Sequence, residues 1–284
     1  MIEQPLLASL KLLPAQEQKA LLYRLSPEAW AREQLGIELY PYQKQVAQDL
    51  DSIGVIVNVS RRGGKSEICS LLLSWSAVVE SPGCTQLITA KTQDQSKELL
   101  RRCYDHMAKL GVSIPSPNKE SMELENGSRI IALPGAGKGI NPDNWRGFGH
   151  NLRRIVIDEA AFTVDEVLDV ALPMLNPTPG STMAPPQLFA ISSSGNRSGW
   201  FYRVVMGLDT YPGWSTYRAK WDEIVTGDGQ PVISPDIIEM NTEILGKAVV
   251  DREYNLVFTD SVDFLDDDFD YDSMLSSDIP YWEI

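Results

Sequence analysis

Cysteine and histidine are scarce in this chain of 284 residues, which holds three cysteines (Cys69, Cys84 and Cys103) and two histidines. An odd number of thiols without metal-ligand spacing argues against a disulfide framework or a zinc site and fits a reducing cytoplasm. Long apolar runs are missing as well. No window reaches the roughly 18 uninterrupted apolar residues that a membrane span needs, so no membrane partner is expected. The opening stretch MIEQPLLASLKLLPAQEQ is acidic early and lacks a basic region followed by a small-residue cleavage site, so no secretory signal is expected. Positive charge is short overall: the formal net charge is -14, which argues at first against a nucleic-acid partner. The deficit is local, however. From Asp251 onward there are eleven Asp or Glu and one Arg, a net of -10, which leaves about -4 for the first 250 residues. That balance permits surface basic pairs such as Arg101–Arg102 and Arg153–Arg154. The acidity does not exclude a DNA partner, but it argues against tight DNA binding by this chain alone.

What is present is a regular alternation. At 43% hydrophobic the chain can bury a sizeable core, as one large domain or one domain with appendages. Residues 5–35 read as helical, with a break near Ser26–Pro27, and LGIELYPYQKQVAQDL ends in another amphipathic helix. Apolar runs follow at 53–59, 85–90, 128–133, 154–158 and 187–192, with helical patterns between them at 65–80 and 93–110. Continuous apolar strands separated by helices predict an α/β fold, a mostly parallel sheet covered on both faces, with ligands at the carboxyl ends of the strands. Residues 134–151 and 173–186 are rich in Gly and Pro and are expected as loops. Beyond residue 221 the alternation fades into acidic sequence, expected as a helical hairpin and a linker. The organisation is then a helical N-terminal segment (1–40), an α/β core (41–220) and a C-terminal subdomain (221–284).

The chemistry-bearing residues cluster where strands end. In VIVNVSRRGGKSEI an apolar strand runs into Ser60, Arg61, Arg62, Gly63, Gly64, Lys65 and Ser66. The common phosphate-loop pattern G-x-x-x-x-G-K-[ST] would place a glycine where Val59 stands. The context still suits a phosphate site, because backbone N–H groups and a helix N-terminus do the holding. Lys65 would reach the β- and γ-phosphates of ATP, and Ser66 would ligate Mg²⁺. In RRIVIDEAAF a second apolar strand ends in Asp158, suited to hold Mg²⁺, and Glu159, suited to orient and deprotonate an attacking water. Arg61 can stabilise charge developing on the γ-phosphoryl group, and Arg146 in NWRGFGHN is a second candidate. Tyr42 and Gln43 in YPYQKQ offer a ring to stack and an amide to meet the adenine edge. Ser192, Ser193 and Ser194 end the fifth apolar run and are placed to sense the γ-phosphate.

Taken together, these residues resemble the ATPase domain of the large terminase subunit, the DNA-packaging motor of tailed bacteriophages. The resemblance covers roughly residues 25–265. The family's altered phosphate loop, S-R-x-x-G-K-[ST], matches Ser60, Arg61, Gly64, Lys65 and Ser66. Its adenine motif maps onto Tyr42 and Gln43, and its acidic pair onto Asp158 and Glu159. Arg146–Gly147 matches a loop that supplies a finger to a neighbouring subunit in some members, and Ser192–Ser194 match a coupling motif that is usually Ser-Thr-Pro. The resemblance implies a RecA-like P-loop fold, Mg-ATP hydrolysis and a homo-oligomeric ring. It further implies double-stranded DNA, a portal on a procapsid and a small terminase subunit as partners, in the host cytoplasm. The family's nuclease half is expected to be absent, and the consecutive aspartates of DFLDDDFDYD do not replace its converging carboxylates. Two other readings stay open: a superfamily-2-like helicase, which needs a second RecA-like lobe, and a nucleotide-binding scaffold without turnover.

Overall fold

The structure, a computed structural model, describes residues 13–137, 145, 147, 148, 151–177 and 183–260. All five apolar runs form strands: β1 (Gly54–Val59), β2 (Thr85–Thr89), β4 (Arg129–Ala132), β5 (Leu152–Asp158) and β6 (Gln187–Ser192). Two strands join them that the sequence reading did not anticipate, β3 (Ser121–Glu123) and β7 (Trp214–Ala219). The sheet runs β3-β4-β2-β5-β6-β1-β7. Every pairing is parallel except the short β3–β4 hairpin at one edge. Strands β1, β2, β5 and β6 are buried along their whole length, as sheet strands covered on both faces must be. β7 is an edge strand, and only Ala219 is fully buried in it.

Alternation along β1 divides the core. Val55, Val57 and Val59 point to one face and Ile56 to the other. On the first face lie α4 (Lys65–Trp75) with its π-helical continuation Ser76–Glu80, and α5 (Gln93–Lys109). The N-terminal elements α1 (Ala15–Leu25), α2 (Pro27–Trp30) and α3 (Pro41–Gln48) border the same face. Ser26 ends α1 and starts α2, its hydroxyl accepting from Ala29 N at 3.1 Å with Pro27 in the first helical position. Trp30, Leu35 and Leu39 then bury into the cluster that holds β1 and α4. On the opposite face lie a 3₁₀ turn (Ala160–Phe162), α6 (Glu166–Met174) and α7 (Gly199–Val205). The chain beyond β7 forms the expected helix pair, α8 (Pro235–Leu245) and α9 (Lys247–Glu253), around a small cluster of Ile233, Val250 and Tyr254. The acidic run 263–272 lies outside the described residues.

The pair Arg153–Arg154, expected at the surface, is a correction: both side chains are buried at the start of β5. Arg153 makes two bonds to the Glu80 carboxylate, at 2.6 and 3.0 Å. Arg154 reaches Gln187 Oε1 at 3.1 Å, Leu72 O at 3.1 Å and Ser76 Oγ at 2.6 Å, and Ser76 in turn donates to Glu80 at 2.7 Å. Burial works to raise the Glu80 carboxyl, but the guanidiniums of Arg154 and Arg153 outweigh it and hold it below its usual range. Burial, reinforced by Arg153, pushes Arg154 down to about 10, so it stays charged at neutral pH. The three cysteines are buried too, and burial raises each thiol, Cys84 and Cys103 to about 12. Removing one partner of a buried charge network strands the others. Glu80→Ala is therefore expected to cost about 3–5 kcal/mol of stability, read from urea denaturation.

Candidate active site

β1 ends at Val59, and the next five residues turn the chain into the N-terminus of α4. Ser60 anchors the turn: its N–H bonds to Ala219 O of β7 at 3.1 Å, and its carbonyl accepts from Gly63 N at 3.1 Å. Arg62 and Gly64 both take left-handed backbone angles, φ 59° and 84°. Left-handed residues of this kind recur in the turns from which anion-binding loops are built. Gly64 is favoured by its angle, and both glycines stand where a side chain would meet close neighbours. A Cβ on Gly63 would sit 2.6 Å from Ile224 Cδ1 and 2.9 Å from Ser60 O, and one on Gly64 would sit 2.6 Å from Gln43 Nε2.

Tyr42 and Gln43 brace this loop from beneath. The Tyr42 hydroxyl donates to Gly63 O, and Gln43 Nε2 donates to Gly64 O at 3.0 Å while its Oε1 accepts from Tyr40 N at 2.9 Å. Tyr42 does not line the cleft; its ring packs on the core, and burial raises its phenol well above the usual value. Tyr40 does line the cleft, with Ile37 and Glu38, and so does Phe162. Tyr42 and Gln43, expected to meet the base, bond to the loop in this structure, and Gln43 also lines the cleft.

The cleft above the loop has a volume of about 890 Å³, within the usual range of small-molecule sites. Arg61, Arg62, Lys65 and Ser66 line it from the loop, and Glu159 faces them. Lys65 Nζ lies 3.5 Å from Glu159 Oε1, and Ser192 Oγ donates to Glu159 Oε2 at 3.1 Å. Glu159 itself has φ 49°, a left-handed conformation uncommon for a residue with a side chain, and its N–H is caught by Asp158 Oδ1 at 3.0 Å. Strained backbone of this kind concentrates at functional sites. Asp158 is buried, and its carboxyl is raised to about 7, by burial first and by the Glu159 charge second, against the pull of Lys65.

The three serines at the end of β6 take three separate jobs. Ser192 holds Glu159, Ser193 faces the cleft and bonds Glu253 Oε2 at 3.0 Å, and Ser194 turns inward to Asn58 at 3.2 Å. Arg146 lies outside the described residues, so its expected role has no geometry here. Sequence reasoning missed several cleft residues: Glu67, Lys91, Arg102, Arg252 and Glu253. Lys91 and Thr92 stand in the TAKTQDQ stretch after β2. Arg102 reaches toward the carboxylate of Glu67 at 3.9 Å, and Glu67 also meets buried His106 at 3.4 Å. The bond from His106, then the nearby Arg102 charge, holds the Glu67 carboxyl below its ordinary value despite burial.

No family model matches the sequence, and no curated protein matches it. Solved structures do match. The large terminase ATPase domain of Thermus phage P74-26 superposes with a TM-score of 0.65 at 19% identity, covering 83% of this chain and all of that one. The HK97 bacteriophage large terminase matches at 0.59 and 16%, covering 81% of this chain and 54% of its own. The large terminase of a thermophilic bacteriophage, in complex with ATP-γ-S, matches at 0.55 and 14%, covering 84% and 52%. The fold is that of a large-terminase ATPase domain. It is RecA-like, with the loop strand β1 separated from the acidic strand β5 by β6.

Asp158 makes folding itself pH-dependent. Its folded pKa lies above the unfolded carboxylate value, so the native state holds the proton longer and loses stability as pH rises from about 4 to about 7. Asp158→Asn, which mimics the protonated form, is expected to be more stable than the nucleotide-free native protein at pH 8, with the gap closing toward pH 4. Denaturant titrations across that range measure it.

Proposed function

We propose that this chain is the ATP-hydrolysing motor domain of a viral DNA-packaging terminase, coupling Mg-ATP hydrolysis to the movement of double-stranded DNA into a procapsid. The observation that carries this reading is the meeting of Lys65, Glu159 and Ser192 at the ends of three neighbouring strands. Without nucleotide, Lys65 and Glu159 neutralise each other at 3.5 Å. A γ-phosphate in the loop competes for Lys65. Glu159 is then released from that ion pair while Ser192 still holds its other oxygen, oriented to accept a proton from an attacking water. Arg61, in the same loop, supports charge developing on the phosphoryl oxygens. The loop's N–H groups and the N-terminus of α4 take the β-phosphate.

The donor set fits Mg²⁺. Asp158 is a buried carboxylate whose charge is disfavoured as it stands, next in sequence to the cleft-lining Glu159, and Ser66 lines the cleft. Among the described residues no group of three or more His, Cys, Asp or Glu is placed to hold a metal ion. Ser66 and Asp158 would therefore hold the ion together with phosphate oxygens and water, the usual coordination of this hard cation. Bound there, the ion would supply charge neutralisation to the phosphates.

The wider assembly follows from the same reading: a homo-oligomeric ring on a portal, a small terminase subunit as partner, and backbone contacts to DNA that ignore sequence. Among the described residues no helix is long and apolar enough to cross a membrane, and the proposed setting is the host cytoplasm. Among the described residues, those after β7 form a 3₁₀ turn and a helix pair.

Two measurements test the proposal. Glu159→Ala is expected to lose hydrolysis by about three orders of magnitude or more while still binding nucleotide, in steady-state turnover beside equilibrium binding. Equal turnover in both proteins would refute the assignment of Glu159. Specific activity is also expected to climb with protein concentration in the native chain and to stay flat in Arg146→Ala. Concentration-independent activity in both would leave Arg61 as the sole finger and remove the ring from the mechanism.

A further inference from the structure

Ser193 faces the cleft, but its hydroxyl is committed to Glu253 Oε2 at 3.0 Å. Glu253 is the last residue of α9, and its main-chain carbonyl accepts the N–H of Arg61 at 2.8 Å. One residue of the C-terminal helix pair therefore grips, through two independent groups, the phosphate loop and the exit of β6. Its remaining carboxylate oxygen lies 3.2 Å from Nε of Arg252, which also lines the cleft. These contacts are buried, with Ser193 1% and Glu253 8% exposed, so water does not readily substitute for them. The grip continues past the helix: Arg197 N donates to Thr259 O at 2.7 Å and Thr259 N to Gly195 O at 3.2 Å.

Resting on the reading of the cleft as an ATPase site, we infer that Glu253 is a positioning residue for hydrolysis. It makes the placement of Arg61 and of the β6 serines conditional on the seating of α9. The helix pair has a small buried cluster of its own, Ile233, Val250 and Tyr254, with Trp221, Val232, Ile237 and Ile238 packed against it, and bonds from Trp221 and Arg218 to residues 254–256 help to seat it. Glu253 lines the cleft but makes no bond to the loop's glycines or to Lys65. What it governs is the register between the finger arginine on β1's loop and the serine-held glutamate at β5. Displacements of about 1 Å in such a register reduce the chemical step far more than they reduce binding.

The test compares native protein with Glu253→Ala, Glu253→Gln, Ser193→Ala and the double variant Ser193→Ala/Glu253→Ala. Turnover, KM and binding of a fluorescent ATP analogue with Mg²⁺ are measured on each, alongside thermal unfolding. Glu253→Ala is expected to lower kcat about 10–100-fold with KM shifted less than about threefold. Glu253→Gln, whose amide oxygen still accepts from Ser193, is expected to recover most of that loss. The double variant is expected to be no slower than the slower single variant, because both break one link. Unchanged kcat in Glu253→Ala would overturn the inference. So would equal losses in the Ala and Gln variants that track a fall in unfolding temperature, since that pattern marks a purely structural role. A native chain that binds the analogue but never turns ATP over would overturn the ATPase reading, and this inference with it.

Discussion

The cleft depends on the placement of a few peptide groups between Val59 and Lys65. The turn is made possible by the left-handed angles of Arg62 and Gly64, and it is braced from several sides. Ser60 ties the loop to β7, Tyr42 and Gln43 hold the carbonyls of Gly63 and Gly64, and Glu253 holds the N–H of Arg61. Three parts of the chain distant in sequence thus meet on one turn. Preorganisation of this kind lets a site hold an anion without reorganising when it arrives.

Electrostatics in the cleft follow from burial. Two adjacent carboxylates share one ammonium, and the deeper of the two, Asp158, is driven toward its neutral form. The arrangement is poised between two ways of satisfying its charges, one internal and one that a polyanion and a divalent cation would complete. Glu159's left-handed backbone adds a local strain that the surrounding contacts with Asp158, Lys65 and Ser192 offset.

Much of this was legible in the sequence. Apolar runs marked the five central strands because a strand buried on both faces has no polar register to confuse the reading. The loop residues and the Asp158–Glu159 pair were recognisable from local pattern, and the structure does bring Lys65 and Glu159 together. Other features were not local. β7 was missed because Trp214, Tyr217 and Arg218 form an edge strand without a continuous apolar run. Arg153–Arg154 read as surface because a pair of arginines usually is, and nothing nearby announces Glu80 across the fold. Gln43 was picked out, yet a sequence does not tell whether an amide points at a ligand or at the backbone beneath it. Arg252 and Glu253 belong to the site only through tertiary contact.

The burial of Cys69, Cys84 and Cys103 also bears on how the molecule can be watched at work. Thiols that are sequestered and hard to ionise react slowly with maleimides and similar reagents. The native chain therefore offers a quiet background for site-specific labelling, in which one cysteine introduced on α8 and another on the exposed face of α5 would carry a donor and acceptor dye. Changes in energy transfer between them would follow the helix pair against the sheet through each turnover, without first stripping the core of its own sulfur.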